Sequence, residues 1–158
     1  MRILLTGASG FIGGFVRDRL ARAGHDIVAV SRNAGGGTVK GPLLGSNADW
    51  RPFLDGVDTV VHAAAVAHAI KRRLSRAEYI ESNCEGTLRL AAQAATCGVK
   101  RFIFLSTIGV LGDYTIYGRP FDDGSAPSPV TDYAYSKWRA EEGLRQHLKD
   151  TELRYVVI

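Results

Sequence analysis

The first thirteen residues constrain the fold more strongly than any other stretch of the chain. The apolar run Ile3-Leu4-Leu5 breaks into closely spaced glycines in Thr6-Gly7-Ala8-Ser9-Gly10-Phe11-Ile12-Gly13, after which apolar residues recur at helical spacing. A buried strand that turns through glycines into a helix offers the backbone N–H groups of the helix N-terminus to a phosphate. The opening therefore predicts a strand, a glycine loop and a helix that together bind a phosphorylated ligand.

Predicted strands and helices alternate along the rest of the chain. Apolar runs predict a short strand near 38–40 and longer strands at Met1–Leu5, Asp26–Ser31, Val57–Val61, Arg101–Leu105 and Leu153–Ile158. Helical spacing predicts helices from Phe11 to Ala23, from about Ser75 to Cys97, and from Thr131 or Asp132 to about Leu148, with a single turn at Trp50–Leu54. This alternation predicts the α/β class, with a doubly wound parallel sheet, helices on both faces, and ligands at the carboxyl edge of the strands.

Length and composition limit the number of domains and the classes of partner. The 158 residues, 46% of them apolar, suffice for one core, so we predict one domain. The net charge of +4 does not single out nucleic acid, and the run Lys71-Arg72-Arg73 is interpreted as a solvated face. No stretch approaches the roughly 20 apolar residues of a membrane span, and the start does not follow the plan of a signal peptide. Cys84 and Cys97 lie too far apart in one predicted helix to form a disulfide, so we expect a reduced, cytoplasmic protein. From the hydropathy and the charge we expect no membrane partner and no nucleic-acid partner.

Three glycines at regular spacing make the opening loop a candidate cofactor site. Gly7 permits a sharp exit from the strand, Gly10 lets the backbone approach a pyrophosphate, and Gly13 allows tight packing of helix on strand. The competing interpretation is a plain strand–turn–helix with surplus glycine. After the third long strand, the small side chains of Ala63, Ala64 and Ala65 would let a ligand come close to the backbone.

The end of the second strand bears on which dinucleotide is bound. An acidic residue there would hold the 2′-hydroxyl of the adenosine ribose of NAD, but this chain has Ser31-Arg32. A guanidinium beside a hydroxyl can hold the 2′-phosphate of NADP through charge-assisted hydrogen bonds. Alternatively, Arg32 is solvated or stacks on adenine without selecting a phosphate. The sequence thus predicts NAD or NADP as cofactor and favours NADP.

A tyrosine and a lysine stand one helical turn apart after the long loop. Tyr133 and Lys137 share one face of the predicted helix. A free tyrosine, with a pKa of about 10, is a poor base, but a nearby ammonium and a cationic nicotinamide favour its phenolate. Thr107, at the end of a central strand, could orient a substrate oxygen through its hydroxyl. An amphipathic helix face explains the isolated Tyr–Lys spacing equally well, but its position after the glycine loop and a strand-end hydroxyl favours catalysis.

Five blocks, in order, resemble the extended short-chain dehydrogenase/reductases, and in particular the nucleotide-sugar branch of the NAD-dependent epimerase/dehydratase family. The blocks are Thr6–Gly13, Asp58–Ala65, Asn83–Thr87, Phe102–Gly112 and Tyr133–Glu141. The resemblance implies an NAD(P)-binding Rossmann-like domain. The chain departs from the family pattern at Leu111 and Ala134, and at Gly41-Pro42-Leu43, where the family often has an acidic residue near the adenine.

The resemblance also implies roles for individual residues. Tyr133 would be the base or acid on a sugar hydroxyl, and Lys137 would lower its pKa and bind the nicotinamide ribose. Thr107 would polarise the oxygen, and Asn83 would belong to the proton-relay set. The cofactor-binding residues would be Gly7, Gly10, Phe11, Ile12, Gly13, Ser31, Arg32, Ala63, Ala64, Ala65 and Lys137. No metal is predicted, because the four histidines lack metal-ligand spacing, and His62 is expected to be a packed residue at a strand end.

These residues favour an NAD(P)-dependent nucleotide-sugar epimerase, dehydratase or reductase, similar to UDP-sugar 4-epimerases. The implied partners are a UDP-linked sugar, whose diphosphate Lys71, Arg72 and Arg73 could contact, and a second copy of the chain. We expect residues 1–158 to be the N-terminal part of a longer enzyme that lacks here the usual C-terminal substrate portion, and to bind cofactor only. The alternatives are an NADP-dependent reductase of a non-sugar carbonyl compound and a non-catalytic dinucleotide-binding regulatory module.

Overall fold

The computed structural model describes residues 1–67 and 74–158, and its centre is a six-stranded sheet. The strands are β1 (Arg2–Thr6), β2 (Asp26–Ser31), β3 (Val39–Lys40), β4 (Thr59–His62), β5 (Arg101–Phe104) and β6 (Arg154–Val157). They run in the order β3-β2-β1-β4-β5-β6, and every neighbouring pair is parallel. The predicted parallel sheet is confirmed. The run Lys71-Arg72-Arg73 lies outside the described residues.

The helices connect these strands. Their bounds are α1 (Phe11–Arg22), α2 (Arg76–Tyr79), α3 (Gly86–Thr96) and α4 (Asp132–Leu148), with 3₁₀ turns at Arg51–Phe53 and Ile108–Val110. The helix predicted from 75 to 97 differs in one respect, because a π-helical segment, Ile80–Glu85, separates α2 from α3. Hydroxyl side chains cap two of the starts: Ser75 forms a capping box with Glu78 before α2, and Thr131 accepts the Ala134 N–H at 3.1 Å before α4.

The sheet is covered on both faces, as a doubly wound fold requires. Side chains alternate along β1, so Leu4 joins the larger buried cluster while Ile3 and Leu5 join a separate one. The larger cluster includes Phe102 and Phe104 of β5 and residues of α3 and α4. From β1 the chain adds β2 and β3 on one side and then β4, β5 and β6 on the other. This change of side between β1 and β4 opens a crevice at the carboxyl ends of these two parallel strands.

One polar side chain holds the connection between β3 and β4 against α3. The buried Gln93 donates to the Ala48 carbonyl oxygen at 3.1 Å and accepts the Trp50 N–H at 2.7 Å. The amide thereby pairs two backbone groups that no strand or helix would satisfy. Among the residues that the structure describes, no helix is both long and apolar enough to cross a membrane.

Candidate active site

A cleft of about 370 Å³ opens where the order of the strands reverses. Four segments line it: the glycine loop (Gly7–Gly13), the end of β2, Pro42–Leu44 after β3, and the cleft wall, as we call Ala63–Val66 after β4. Thr6, Trp50 and Ser82 also contribute to the lining. The sequence-predicted residues on its lining are Gly7, Gly10, Ser31, Arg32, Ala63, Ala64 and Ala65. The carboxyl ends of parallel strands meet at one edge of the sheet, which explains why distant segments converge here.

The glycine loop fits closely against its neighbours. Gly7 has a φ of +70°, and a Cβ there would lie 2.7 Å from the Ala64 nitrogen. A Cβ at Gly13 would overlap the Gly7 carbonyl oxygen, so this glycine permits the packing of helix on strand. Gly10 is the N-cap of α1, with no side-chain cap and no acidic residue in the first turn. The first N–H groups of α1 are therefore left without a side-chain partner, and a phosphate fits that position.

The two residues predicted to select the cofactor at the end of β2, Ser31 and Arg32, differ in whether their side chains are engaged by the following turn. The buried Ser31 hydroxyl donates to the Asn33 carbonyl oxygen and lies 2.7 Å from Thr38 Oγ1. These bonds hold Ser31 in the following turn, so its predicted contact with a 2′-phosphate gains no support from its position. Arg32 lines the cleft, and Arg17 donates to the Gly36 carbonyl oxygen at 2.7 Å to hold the same turn.

Asn83 holds the cleft wall. Its amide accepts the Val66 N–H at 2.8 Å and donates to the Val66 carbonyl oxygen at 2.9 Å, pairing as a strand neighbour would. The same amide nitrogen donates to Ser136 Oγ at 3.0 Å. Asn83 is buried, and both ends of its amide are engaged. These contacts fix backbone position, and the part of Asn83 in a proton relay stays a prediction.

Lys137 is buried beneath the edge of the sheet. Only 2% of the residue is exposed, and its ammonium nitrogen lies 3.9 Å from the centre of the Phe104 ring. Burial lowers the pKa of Lys137 to about 7, although the charge of Glu141 opposes the shift.

Tyr133 lies one turn before Lys137 and is half-buried, with its ring edge-on to Tyr79 at 6.5 Å. Burial raises the pKa of Tyr133 above its ordinary value. The sequence predicts that a neighbouring ammonium and a cationic nicotinamide together move this pKa toward neutrality, and that remains a prediction. Burial acts in the opposite direction, because it disfavours the charged phenolate and also lowers the pKa of Lys137.

Thr107 begins the 3₁₀ turn that follows β5. Its hydroxyl oxygen accepts the Gly109 N–H at 3.2 Å, which leaves the hydroxyl proton available to a ligand oxygen. The neighbouring Ser106 donates instead to the Glu141 carboxylate.

Four of the predicted cofactor residues lie apart from the cleft lining: Phe11, Ile12, Gly13 and Lys137. Phe11 and Ile12 are 84% and 55% exposed on the first turn of α1, where Phe11 packs against Phe15. Sequence reasoning missed Thr6, which lines the cleft and accepts the Ala64 N–H at 3.2 Å, and Phe104, whose ring contacts the Lys137 ammonium. A hydroxyl just before the glycine loop was a visible signal for Thr6. No local signal marks Phe104, because its contact with Lys137 depends on the packing of α4.

The fold and this site define a class, a Rossmann-like dinucleotide-binding domain of the short-chain dehydrogenase/reductase type. The sequence model of the NAD dependent epimerase/dehydratase family matches residues 3–158. The chain belongs to that family.

Similar proteins agree with this assignment. A UDP-glucose 4-epimerase of Vibrio cholerae is 36% identical over 99% of this chain and 50% of its own length. A short-chain dehydrogenase/reductase superfamily protein of Agrobacterium tumefaciens with bound NAD superposes with a TM-score of 0.87 at 27% identity, over 99% of this chain and 48% of that one. MoeE5 in complex with UDP-glucose and NAD gives 0.85 at 26% identity, over 99% and 53%. The chain therefore spans about half the length of these relatives.

Proposed function

We propose that the chain binds a nicotinamide dinucleotide in the cleft and supplies Tyr133, Lys137 and Thr107 to hydride transfer at a carbon of a UDP-linked sugar. One observation carries the proposal: the glycine loop follows β1, and the Phe104 ring that covers Lys137 ends β5, so both lie at the same sheet edge. The Vibrio cholerae epimerase and the MoeE5 complex support the sugar and the cofactor.

The chain's residues divide the work of binding. The uncapped first turn of α1 and the backbone at Gly10 would hold the pyrophosphate, because helix N–H groups and the helix dipole favour anions. The cleft wall and Arg32 line the space on either side. The nicotinamide, when bound, supplies the acceptor and donor of hydride.

Proton transfer would involve Tyr133 and Lys137 of α4 and Thr107 of the turn after β5. The raised pKa of Tyr133 keeps its hydroxyl protonated at neutral pH before ligands bind, while Lys137, with a pKa of about 7, exchanges protons near that pH. A charged ammonium and a charged cofactor would together favour the phenolate, which then takes the sugar hydroxyl proton. Thr107 would donate a hydrogen bond to the same oxygen and keep its own proton.

Calorimetric titration with NAD and NADP tests binding, and Tyr133→Phe tests the chemistry. Tyr133→Phe is expected to keep the dinucleotide affinity of the chain within about twofold. In a longer enzyme that contains this chain, the same substitution is expected to lower interconversion of UDP-glucose and UDP-galactose by about a hundredfold or more. Tyr117→Phe is the matched control, because Tyr117 is fully exposed. Binding of neither dinucleotide would refute the proposal, and full turnover by Tyr133→Phe would refute the role of Tyr133.

The choice between NAD and NADP is the finer part of the proposal. We propose a preference for NADP, because Arg32 lines the cleft where β2 ends. Arg32→Met should raise the Kd for NADP about tenfold and leave that for NAD within about twofold, the loss of one charge-assisted contact. The exposed Arg22→Met is the control. Equal weakening of both cofactors would indicate that Arg32 stacks on adenine.

A further inference from the structure

A chain of buried hydrogen bonds runs through His62, between the glycine loop and the π-helical segment. His62 Nδ1 lies 2.7 Å from Thr6 Oγ1, and His62 Nε2 lies 3.0 Å from Thr87 Oγ1. These three side chains are at most 1% exposed, as is Asn83. The expectation that His62 is a packed strand-end residue is confirmed, but the packing is polar and directional.

The direction of each hydrogen bond follows from the groups at the two ends. The Thr87 hydroxyl lies 2.6 Å from the Asn83 carbonyl oxygen, which can only accept, so the hydroxyl proton is used there. Thr87 must then accept from His62, and the imidazole proton lies on Nε2. Burial and the charge of Lys137 lower the pKa of His62 to about 3, so Nδ1 carries no proton and accepts from the Thr6 hydroxyl.

The two ends of this chain hold the cleft wall. Thr6 Oγ1 accepts the Ala64 N–H at 3.2 Å with its remaining lone pairs, while the Asn83 amide pairs with both backbone groups of Val66. Asn83 also reaches Ser136, whose hydroxyl donates to the Tyr133 carbonyl oxygen at 2.7 Å. One connected set of bonds therefore joins the glycine loop, the cleft wall and the first turn of α4.

We infer that His62 is a positioning residue that, held in its Nε2–H tautomer, fixes the cleft wall between the glycine loop and the helix of Tyr133. Without an acceptor at position 87, the buried Nε2–H is left unpaired and no hydrogen bond fixes the orientation of the imidazole on that side. If the imidazole turns, the Thr6 hydroxyl loses its hydrogen bond to Nδ1, which orients the Thr6 oxygen to accept the Ala64 N–H. Dinucleotide affinity consequently depends on Thr87, although Thr87 does not line the cleft.

Paired substitutions at Thr87 separate positioning from stability. Thr87→Val keeps the shape and removes both hydrogen bonds, whereas Thr87→Ser keeps the hydroxyl. Calorimetry well below the midpoint of unfolding should show the Kd for NAD or NADP raised about five- to tenfold in Thr87→Val, the size of one net hydrogen bond. Thr87→Ser should restore it to within about twofold. A Thr87→Val protein with a lower Tm and an unchanged Kd would overturn the inference.

The tautomer is measured independently of any variant or cofactor. Long-range ¹⁵N–¹H correlation spectra of the unsubstituted chain at neutral pH should show His62 neutral, with its proton on Nε2. A proton on Nδ1, or on both nitrogens, would overturn the inference even if Thr87→Val does not fold. The expected change in dinucleotide affinity of the Thr87 variants rests on the proposed function. If the unsubstituted chain binds neither dinucleotide, the proposed function fails, and the spectrum alone decides the inference.

Discussion

Replacing Lys137 with methionine should change how stability depends on pH. The pKa of the buried ammonium falls from 10.5 to about 7 on folding. Between these values the unfolded chain binds a proton that the folded chain has lost, so the free energy of unfolding rises with pH. Each pKa unit corresponds to about 1.4 kcal/mol, and the exact linkage gives a rise of about 2 kcal/mol between about pH 7 and pH 9.

Lys137→Met fills similar volume with an unbranched apolar chain and has no proton to lose. It should be more stable than the unsubstituted protein at neutral pH, with an advantage that shrinks by about 2 kcal/mol as the pH approaches 9. Urea unfolding of both proteins across this range measures the difference, in which all other titrations cancel. Lys149→Met, at a lysine whose side chain is 70% exposed, should show no such trend. A difference that does not vary with pH would refute the reasoning, since Lys137 would then keep its charge in the fold.

Two further substitutions, each with a control, test the packing of the glycine loop and the hydrogen bonds of the loop after β3. Gly7→Ala should destabilise by about 2 kcal/mol or more, because of its φ of +70° and the Ala64 nitrogen 2.7 Å from the new Cβ. As the control, the Cβ that Gly14→Ala adds meets no atom within 4 Å, and this substitution should stabilise α1 by up to about 1 kcal/mol. Thermal unfolding compares the Tm of the two variants. An equal change of Tm in both would contradict the close contact at Gly7. Gln93→Met should cost about 1–3 kcal/mol in urea unfolding, because the buried Trp50 N–H loses its partner, whereas the Ala48 carbonyl oxygen keeps the Arg89 Nε donor at 3.2 Å. The exposed Gln146→Met should change stability by less than about 0.5 kcal/mol, and a similar loss there would refute the role of Gln93.

Much of the fold is local in origin, which is why the sequence predicted it. Apolar runs of four to six residues coincide with β1, β2, β4 and β5, since burial on both faces of a parallel sheet leaves no polar alternation. Glycines at fixed spacing marked the loop after β1, and hydroxyl residues marked the starts of α2 and α4. The π-helical segment escaped prediction, because its six residues have the composition of an ordinary helix, and the contacts of its Asn83 with Val66 and Ser136 are with residues distant in sequence.

Local sequence patterns were enough to predict the order of strands and helices, the glycine loop and the Tyr133–Lys137 pair, because each depends on residues within a turn or a strand of one another. The charge states and the hydrogen-bond partners depend instead on contacts that form only when the chain folds. Thr6 and His62 are 56 positions apart and meet through the register of β1 with β4. The pKa of Lys137 falls because its ammonium is buried in the fold. Burial and desolvation belong to the surroundings of a side chain, and these surroundings exist only once the sheet has formed.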